Sequence, residues 1–247
     1  MDSMLDKRGP LPLRNQLENI IRQKIEDEEW PENVSIPSEN ELCKIYGISR
    51  MTVHSALNHI VEEGLIYRVP GKGTFVSPPK IISKPPTQVG IREQLEQQGY
   101  ETSTRLISVE LKLPTKKVVN ALGIGRSELI YTIKRARYIK EEPLSYHISY
   151  IPSKLFPGLE NQDLVGEQMC DIMEKQYHCE IVRRLETLEA VTATPEEAGI
   201  LSVKPSCPLL LLENTVFTYH DSPVEFTKII FRGDKIKLKL EYNKNQW

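Results

Sequence analysis

Residues 36–64 read I-P-S-E-N-E-L-C-K-I-Y-G-I-S-R-M-T-V-H-S-A-L-N-H-I-V-E-E-G. Ser38 followed by Glu41 is a capping box that opens a helix. Leu42 and Ile45 give that helix an apolar face, and Gly47 suits its C-terminus. Ser49 caps the next helix, in which Val53, Ala56, Leu57, Ile60 and Val61 form one apolar stripe at helical spacing, ending near Gly64. Two short helices joined through Y-G-I-S make a helix-turn-helix arrangement. Upstream, Leu13, Leu17, Ile20, Ile21 and Ile25 repeat at helical spacing and mark an earlier helix. Downstream, the β-like runs Leu65–Val69 and Thr74–Val76 flank P-G-K-G, which reads as a hairpin, or wing.

The apolar stripe of the third helix leaves Arg50, His54, Ser55 and Asn58 on or near the opposite face, with Thr52 in the first turn. Such side chains hydrogen-bond base edges or phosphates. They gather toward the N-terminal end, which a recognition helix presents to the major groove. A merely solvated helix would typically carry i, i+4 Glu–Lys pairs there. The wing lysine, Lys72 between Gly71 and Gly73, is not a nucleotide P-loop. That motif places Ser or Thr directly after the lysine and then a helix; here Gly73 follows, then a short run stopped by Pro78 and Pro79. Taken alone, the hairpin is either a wing whose glycines admit a close backbone approach while Lys72 meets a DNA phosphate, or a surface turn with an incidental lysine.

The chain has 247 residues, 39% hydrophobic and 27% charged, the composition of a soluble globular protein. No apolar run approaches the roughly 20 residues of a membrane span, and the first residues hold no signal-like apolar region. The expected setting is the cytoplasm, with no membrane partner. Cys43, Cys170, Cys179 and Cys207 show neither C-x-x-C nor metal-ligand spacing, so buried free thiols are expected, with no metal and no cofactor. The net charge of −2 argues against a nucleic-acid packager, yet residues 43–80 hold five Lys/Arg against two Glu, a local balance of +3. The stretch S-P-P-K-I-I-S-K-P-P-T splits the chain with two Pro-Pro pairs. The expected division is a DNA-binding domain over 1–77, a linker over 78–87 and a second domain over 88–247.

The run P-L-R-N-Q-L…W-P…I-P-S-E-N-E-L…Y-G-I-S-R-M-T-V-H-S-A-L…E-E-G-L-I-Y-R-V-P-G-K-G-T-F-V resembles the winged-helix domain of GntR-family bacterial transcription regulators, over nearly all of residues 10–77. The resemblance implies DNA contacts at Arg50, Thr52, Gly71, Lys72 and Gly73. Ser38, Asn40 and His54 complete the expected DNA-binding set; the family usually has Arg where His54 stands and often Arg where Asn40 stands.

The rest of the chain repeats itself. L-P-T-K-K-V-V-N-A-L-G-I (113–124) parallels T-P-E-E-A-G-I-L (194–201), with Pro114 and Pro195 each opening a short helix. Each is followed by two β-rich runs joined through E-E-P-L-S-Y (141–146) or D-S-P-V-E-F (221–226). Two helix–hairpin units sharing one antiparallel sheet are implied, an α+β class overall. With I-P-S-K-L-F-P-G-L (151–159), E-A-V (189–191) and F-R-G-D-K (231–235), the pattern resembles the UTRA effector domain of the HutC branch. That family's fold is similar to chorismate lyase, and its members sense small molecules, often sugar phosphates.

Strand alternation puts Tyr131, Ile133, Arg135, Arg137 and Ile139 on one face. Two arginines there are costly to bury unless an anion or carboxylate meets them; the alternatives are a structural ion pair or an exposed face. Glu225, Thr227, Ile229 and Phe231 share a face of the second hairpin. By resemblance, effector contacts fall on Arg135 and Arg137 (phosphate side), Glu225 and Phe231 (sugar side), and His147 and Gln168, where glucosamine-phosphate sensors usually have Glu and Ser. His147 reads equally as a satisfied sheet histidine. Backbone amides of Gly90, Ile91 and Arg92, at a helix start, would add phosphate donors.

The expected function is a ligand-responsive regulator, a repressor, binding palindromic double-stranded operator DNA as a homodimer and sensing a small anionic metabolite such as a sugar phosphate. The alternatives are a non-phosphorylated effector such as a carboxylate, or a lyase-like enzyme. No metal cluster, nucleophile elbow or Cys–His motif supports the enzyme.

Overall fold

The structure is a computed structural model describing residues 5–83 and 90–240. Residues 84–89, with the second Pro-Pro pair and the expected boundary at 87/88, lie outside the described residues. The chain divides into two compact units between Ile81 and Ile82, with Gly233–Lys235 belonging to the first.

In the first unit, helices α1 (Leu13–Glu26), α2 (Glu39–Tyr46) and α3 (Arg50–Glu62) precede the hairpin β1 (Ile66–Val69) and β2 (Gly73–Val76). The capping box forms as its residues dictate: Ser38 Oγ accepts from the Glu41 amide at 3.3 Å, and the Glu41 carboxylate accepts from the Ser38 amide at 2.8 Å. Gly47 closes α2 at φ 62°, a left-handed conformation that glycine takes without a Cβ penalty. Ser49 Oγ caps α3 by accepting from the Thr52 amide at 3.2 Å. Val53, Ala56, Leu57 and Ile60 of α3 are buried against Leu17 and Ile21 of α1, Leu42 of α2 and Ile66 of β1. One expectation fails: Ile45 is 52% exposed, because α2 turns Leu42 into the core with Cys43 and Tyr46 packed beside it, which leaves Ile45 on the outer side.

The second unit is built on a six-stranded antiparallel sheet in the order β4-β5-β6-β9-β8-β7. Its strands are β4 (Thr102–Lys112), β5 (Ile130–Ile139), β6 (Glu142–Pro152), β7 (Arg183–Thr192), β8 (Pro208–Thr218) and β9 (Ser222–Arg232). Two short strands, β3 (Ile81–Ser83) and β10 (Ile236–Leu238), pair with each other. Helix α4 (Ile91–Gln97) precedes β4, α5 (Lys116–Leu122) follows it, α6 (Met169–Tyr177) precedes β7, and α7 (Pro195–Leu201) follows it. The repeat is therefore strand–helix–hairpin, one outer strand longer than the sequence implied. Pro195 opens α7 at its first turn, whereas Pro114 sits one residue before Thr115, the N-cap of α5.

The two repeats are related by a local two-fold. Each hairpin carries a bulge at its proline: the register skips Leu144 between Arg137↔Ser145 and Tyr138↔Pro143, and skips Val224 between Val216↔Glu225 and Phe217↔Pro223. Aligning the bulges makes Arg135 equivalent to Asn214, Arg137 to Val216, Ser145 to Glu225, His147 to Thr227 and Ser149 to Ile229. The central pairs obey this: His147↔Ile229 maps onto Thr227↔Ser149, and Ile148↔Lys228 maps onto itself and so lies on the axis. Helices α5 and α7 cover one face of the sheet, through Val118 and Leu122 and through Ala198 and Leu201. On the other face, Met169, Ile172 and Met173 of α6 bury Tyr131, Ile133, Ile151 and Val216. The four cysteines are free, as read, but half-buried rather than buried.

Candidate functional site

The structure presents two candidate sites, one in each unit. In the first, α3 and the hairpin supply exposed cationic groups. Arg50 stands at the first turn of α3 with its side chain 74% exposed, and Met51 beside it is 75% exposed. One carboxylate links the elements: Glu39 accepts from His54 Nδ1 at 2.9 Å and from Arg68 at 3.3 Å, with Arg50 Nε at 3.8 Å. Sequence reading missed Glu39, since a charge at the start of a capped helix looks like ordinary dipole complementarity. Thr52 Oγ1 lies 2.9 Å from Ser49 Oγ, which fixes its rotamer. Ser38 was expected at DNA, but its hydroxyl is committed to the cap, 2.7 Å from the Glu41 carboxylate. Asn40 is exposed one residue into α2.

At the hairpin tip, Gly71 and Gly73 have φ of 74° and 122°, and a Cβ added at either would meet nothing within 4 Å. Glycine is there for the backbone conformation, and the space beside it is open. The Lys72 amide donates to Val69 O at 3.0 Å to close the turn, and its exposed ammonium makes no ion pair with the described residues. An unengaged lysine on a positive-φ glycine turn suits a backbone phosphate.

The second site is a cavity of about 70 Å³ on the sheet face opposite α5 and α7. From the first hairpin, Arg135, Arg137, His147 and Ser149 line it; from the second, Asn214, Glu225, Thr227 and Ile229. Gly90 and Ile91 at the start of α4, Gln168 to Cys170 at the start of α6, and Arg184 of β7 close the rim. Arg135 and Arg137 are only 4% and 7% exposed, so they do not lie on an open face, and neither forms an ion pair among the described residues. Arg135 donates to Leu164 O at 3.2 Å and Arg137 to Gln168 Oε1 at 2.9 Å, while Arg135 Nε and Arg137 Nη1 are buried without partners.

Burial lowers the Arg135 guanidinium's proton affinity, with Glu225 opposing; burial and then Arg135 and Arg92 hold Arg137 down to about 9. An arginine does not release its proton in practice. The shifts therefore express the cost of holding two charged guanidiniums out of water, a cost that a bound anion would offset. The same burial, with Arg137 and Arg135, pushes the His147 imidazole well below its ordinary value, so it is neutral and shares a hydrogen with Ser145 Oγ at 2.8 Å.

Gly90 and Ile91 line the cavity, as expected for the backbone-amide contacts. The Arg92 side chain, on which that expectation did not rest, donates to Val165 O and Gly166 O and pairs with Glu96, because a helix-surface arginine reaches its i+4 carboxylate first. Phe231 is fully buried beside the cavity, edge-on to the His147 ring at 6.5 Å, where it supports that ring. Arg184, Asn214, Ser149 and Cys170 were missed, since their place depends on strand register and on a helix docked over the sheet. Gly90 has a definite packing reason: a Cβ there would stand 2.9 Å from the Gln168 amide. Gln168 thus fills the gap between Gly90 and Arg137, where an anion would sit.

Residues 97–237 match the UTRA domain family, and residues 13–76 match the family described as bacterial regulatory proteins, gntR family. The HTH-type transcriptional repressor NagR of Bacillus subtilis (strain 168) is 33% identical over 94% of this chain and 95% of its own length. The uncharacterized HTH-type transcriptional regulator YurK of the same organism is 30% identical over 94% and 96%. Among solved structures, PhnF from Mycobacterium smegmatis superposes with a TM-score of 0.65 at 19% identity, covering 94% of this chain and 99% of that one. With a capped recognition helix and wing in one unit and a polar sheet cavity in the other, the chain belongs to the GntR family in its HutC-type, UTRA-containing branch, a ligand-responsive DNA-binding transcription regulator and not an enzyme.

Proposed function

We propose that the protein is a repressor that grips a palindromic operator as a homodimer and releases it when a small anionic metabolite, a sugar phosphate, fills the sheet cavity. The observation that carries the effector half is the arginine pair: two buried guanidiniums in one cavity, each with an N–H lacking a partner and neither facing a carboxylate within ion-pair distance. Charge-assisted bonds from those groups to a phosphate or carboxylate would remove the desolvation cost of both. The anion takes the place of Gln168 on Arg137 and meets the backbone at Gly90, so that α6 and the start of α4 respond together. The DNA half rests on Arg50, Thr52 and His54 on α3 and on Lys72 at the wing.

A thermal-shift screen of phosphorylated sugars and carboxylates on the full chain identifies the effector, because a ligand at 100-fold its Kd adds about 2.7 kcal/mol. Operator titration with that effector then tests the switch. A coupling of about 1–3 kcal/mol weakens operator binding roughly 5–150-fold. Arg135→Ala should need far more effector for the same release. An unchanged effector requirement in Arg135→Ala would make the pair structural and the proposal wrong.

A further inference from the structure

Two polar residues in the cavity have no part in the arginine-pair reading. Arg184 lines the rim from β7 and makes no hydrogen bond or ion pair with the described residues. Asn214 of β8 is 3% exposed, and its Oδ1 is buried without a partner. They neighbour each other across the sheet, since Arg184 pairs with Val216 and Asn214 is the next residue of β8 on that face. The order β5-β6-β9-β8-β7 puts Arg184 four strands from Arg135. At about 4.8 Å per strand that is roughly 19 Å between backbones, which the two long side chains narrow toward a shared cavity.

Three guanidiniums and one carboxylate, that of Glu225, line this cavity. A ligand with one anionic end satisfies Arg135 and Arg137 and leaves Arg184 uncompensated. Glu186, which faces Asn214 from β7, is not within ion-pair distance of Arg184, and its own Oε1 is buried without a partner. Asn214 Oδ1 and the Glu225 carboxylate, which accepts from Thr227 Oγ1 at 2.7 Å, are acceptors set between the two cationic ends. That order asks for a ligand with acid at both ends and hydrogen-bond donors between.

We infer that the cavity has a second recognition pole at Arg184 and Asn214, and that the effector is an extended metabolite bearing one acidic group for Arg135 and Arg137, a second for Arg184, and hydroxyl or amino donors in between. This rests on the anion-sensing reading and narrows it to diacids such as phosphorylated sugar acids.

The test uses the full chain and three probes: inorganic phosphate, glucose 6-phosphate and 6-phosphogluconate, the last two differing in charge by a terminal carboxylate. Calorimetric titration should give 6-phosphogluconate a Kd roughly tenfold or more below that of glucose 6-phosphate. Arg184→Gln should abolish the advantage while leaving glucose 6-phosphate binding unchanged, and Arg184→Lys, which keeps the charge, should retain part of it. Equal affinities in the wild type overturn the second pole. So does a loss in Arg184→Gln that is the same for both probes, which would make Arg184 a structural residue. If phosphate and glucose 6-phosphate bind, and Arg135→Ala abolishes that binding, the anion reading stands even where the second pole falls. Absence of binding by all three probes overturns both.

Discussion

His147 is 5% exposed, hydrogen-bonded to Ser145 and edge-on to Phe231, and burial beside two arginines keeps it unprotonated. Unfolding returns it to the ordinary imidazole value of about 6.5, so below that pH the unfolded chain binds a proton that the folded chain does not. Stability from this group is complete above about pH 7 and falls as the solution is acidified. The loss is about 1.4 kcal/mol between pH 7.5 and 5.5. His147→Gln should flatten that part of the profile, read as the difference in melting temperature between the variant and the wild type at the two pH values; parallel profiles would count against a buried neutral ring. On the DNA side, Glu39 holds Arg50, His54 and Arg68 around one carboxylate. Glu39→Gln removes a charge that repels phosphate and loosens the side chains that read bases. Anisotropy titrations should show the preference for operator over scrambled duplex reduced, with scrambled-duplex binding no weaker.

Helix α2 shows what an element's ends contribute. Ser38 and Glu41 satisfy two amides that the first turn leaves open, and Ser38→Ala should cost about 1 kcal/mol, read as a lower melting temperature of the first unit. Deleting packing costs more: Leu57→Ala, at a side chain 1% exposed in the centre of α3, should cost about 2–5 kcal/mol and reduce operator binding through loss of folded protein. These elements were legible because caps and a helical stripe both point the same way, as do the hairpins with their P-L-S and P-V-E turns. The outer strands were not. In β7 the run R-R-L-E-T-L-E leaves Leu185 and Leu188 56% and 47% exposed, so no alternation marks an inside. Arg184 reaches the cavity only through its register with Val216. Helix α6 carries a faint signal, Met169, Ile172 and Met173 at helical spacing, and this trio packs on Tyr131, Ile133, Ile151 and Val216 of the sheet. Ile45 misled because apolar character does not by itself place a side chain inward.

At the scale of the whole molecule, one winged helix reads only a few base pairs, and two-fold pairing doubles that contact on a palindrome. Light scattering of the full 28.4 kDa chain at micromolar concentration should give twice that mass. Leu111 and Leu185, more than half exposed on the two outer strands, are the positions to charge: Leu111→Glu with Leu185→Glu should shift the particle toward the monomer. A wild-type monomer, with and without operator, would rule the homodimer out. The internal repeat has another consequence. A cavity straddling a local two-fold would, with equal halves, accept a ligand either way round and could not tell head from tail. Here equivalent places hold Arg135 against Asn214, Arg137 against Val216, and Ser145 against Glu225. Divergence of the duplicate has turned a reversible receptacle into a polarised one, with two buried arginines at one end and Asn214 and Arg184 at the other, so that the two ends of a ligand meet different partners.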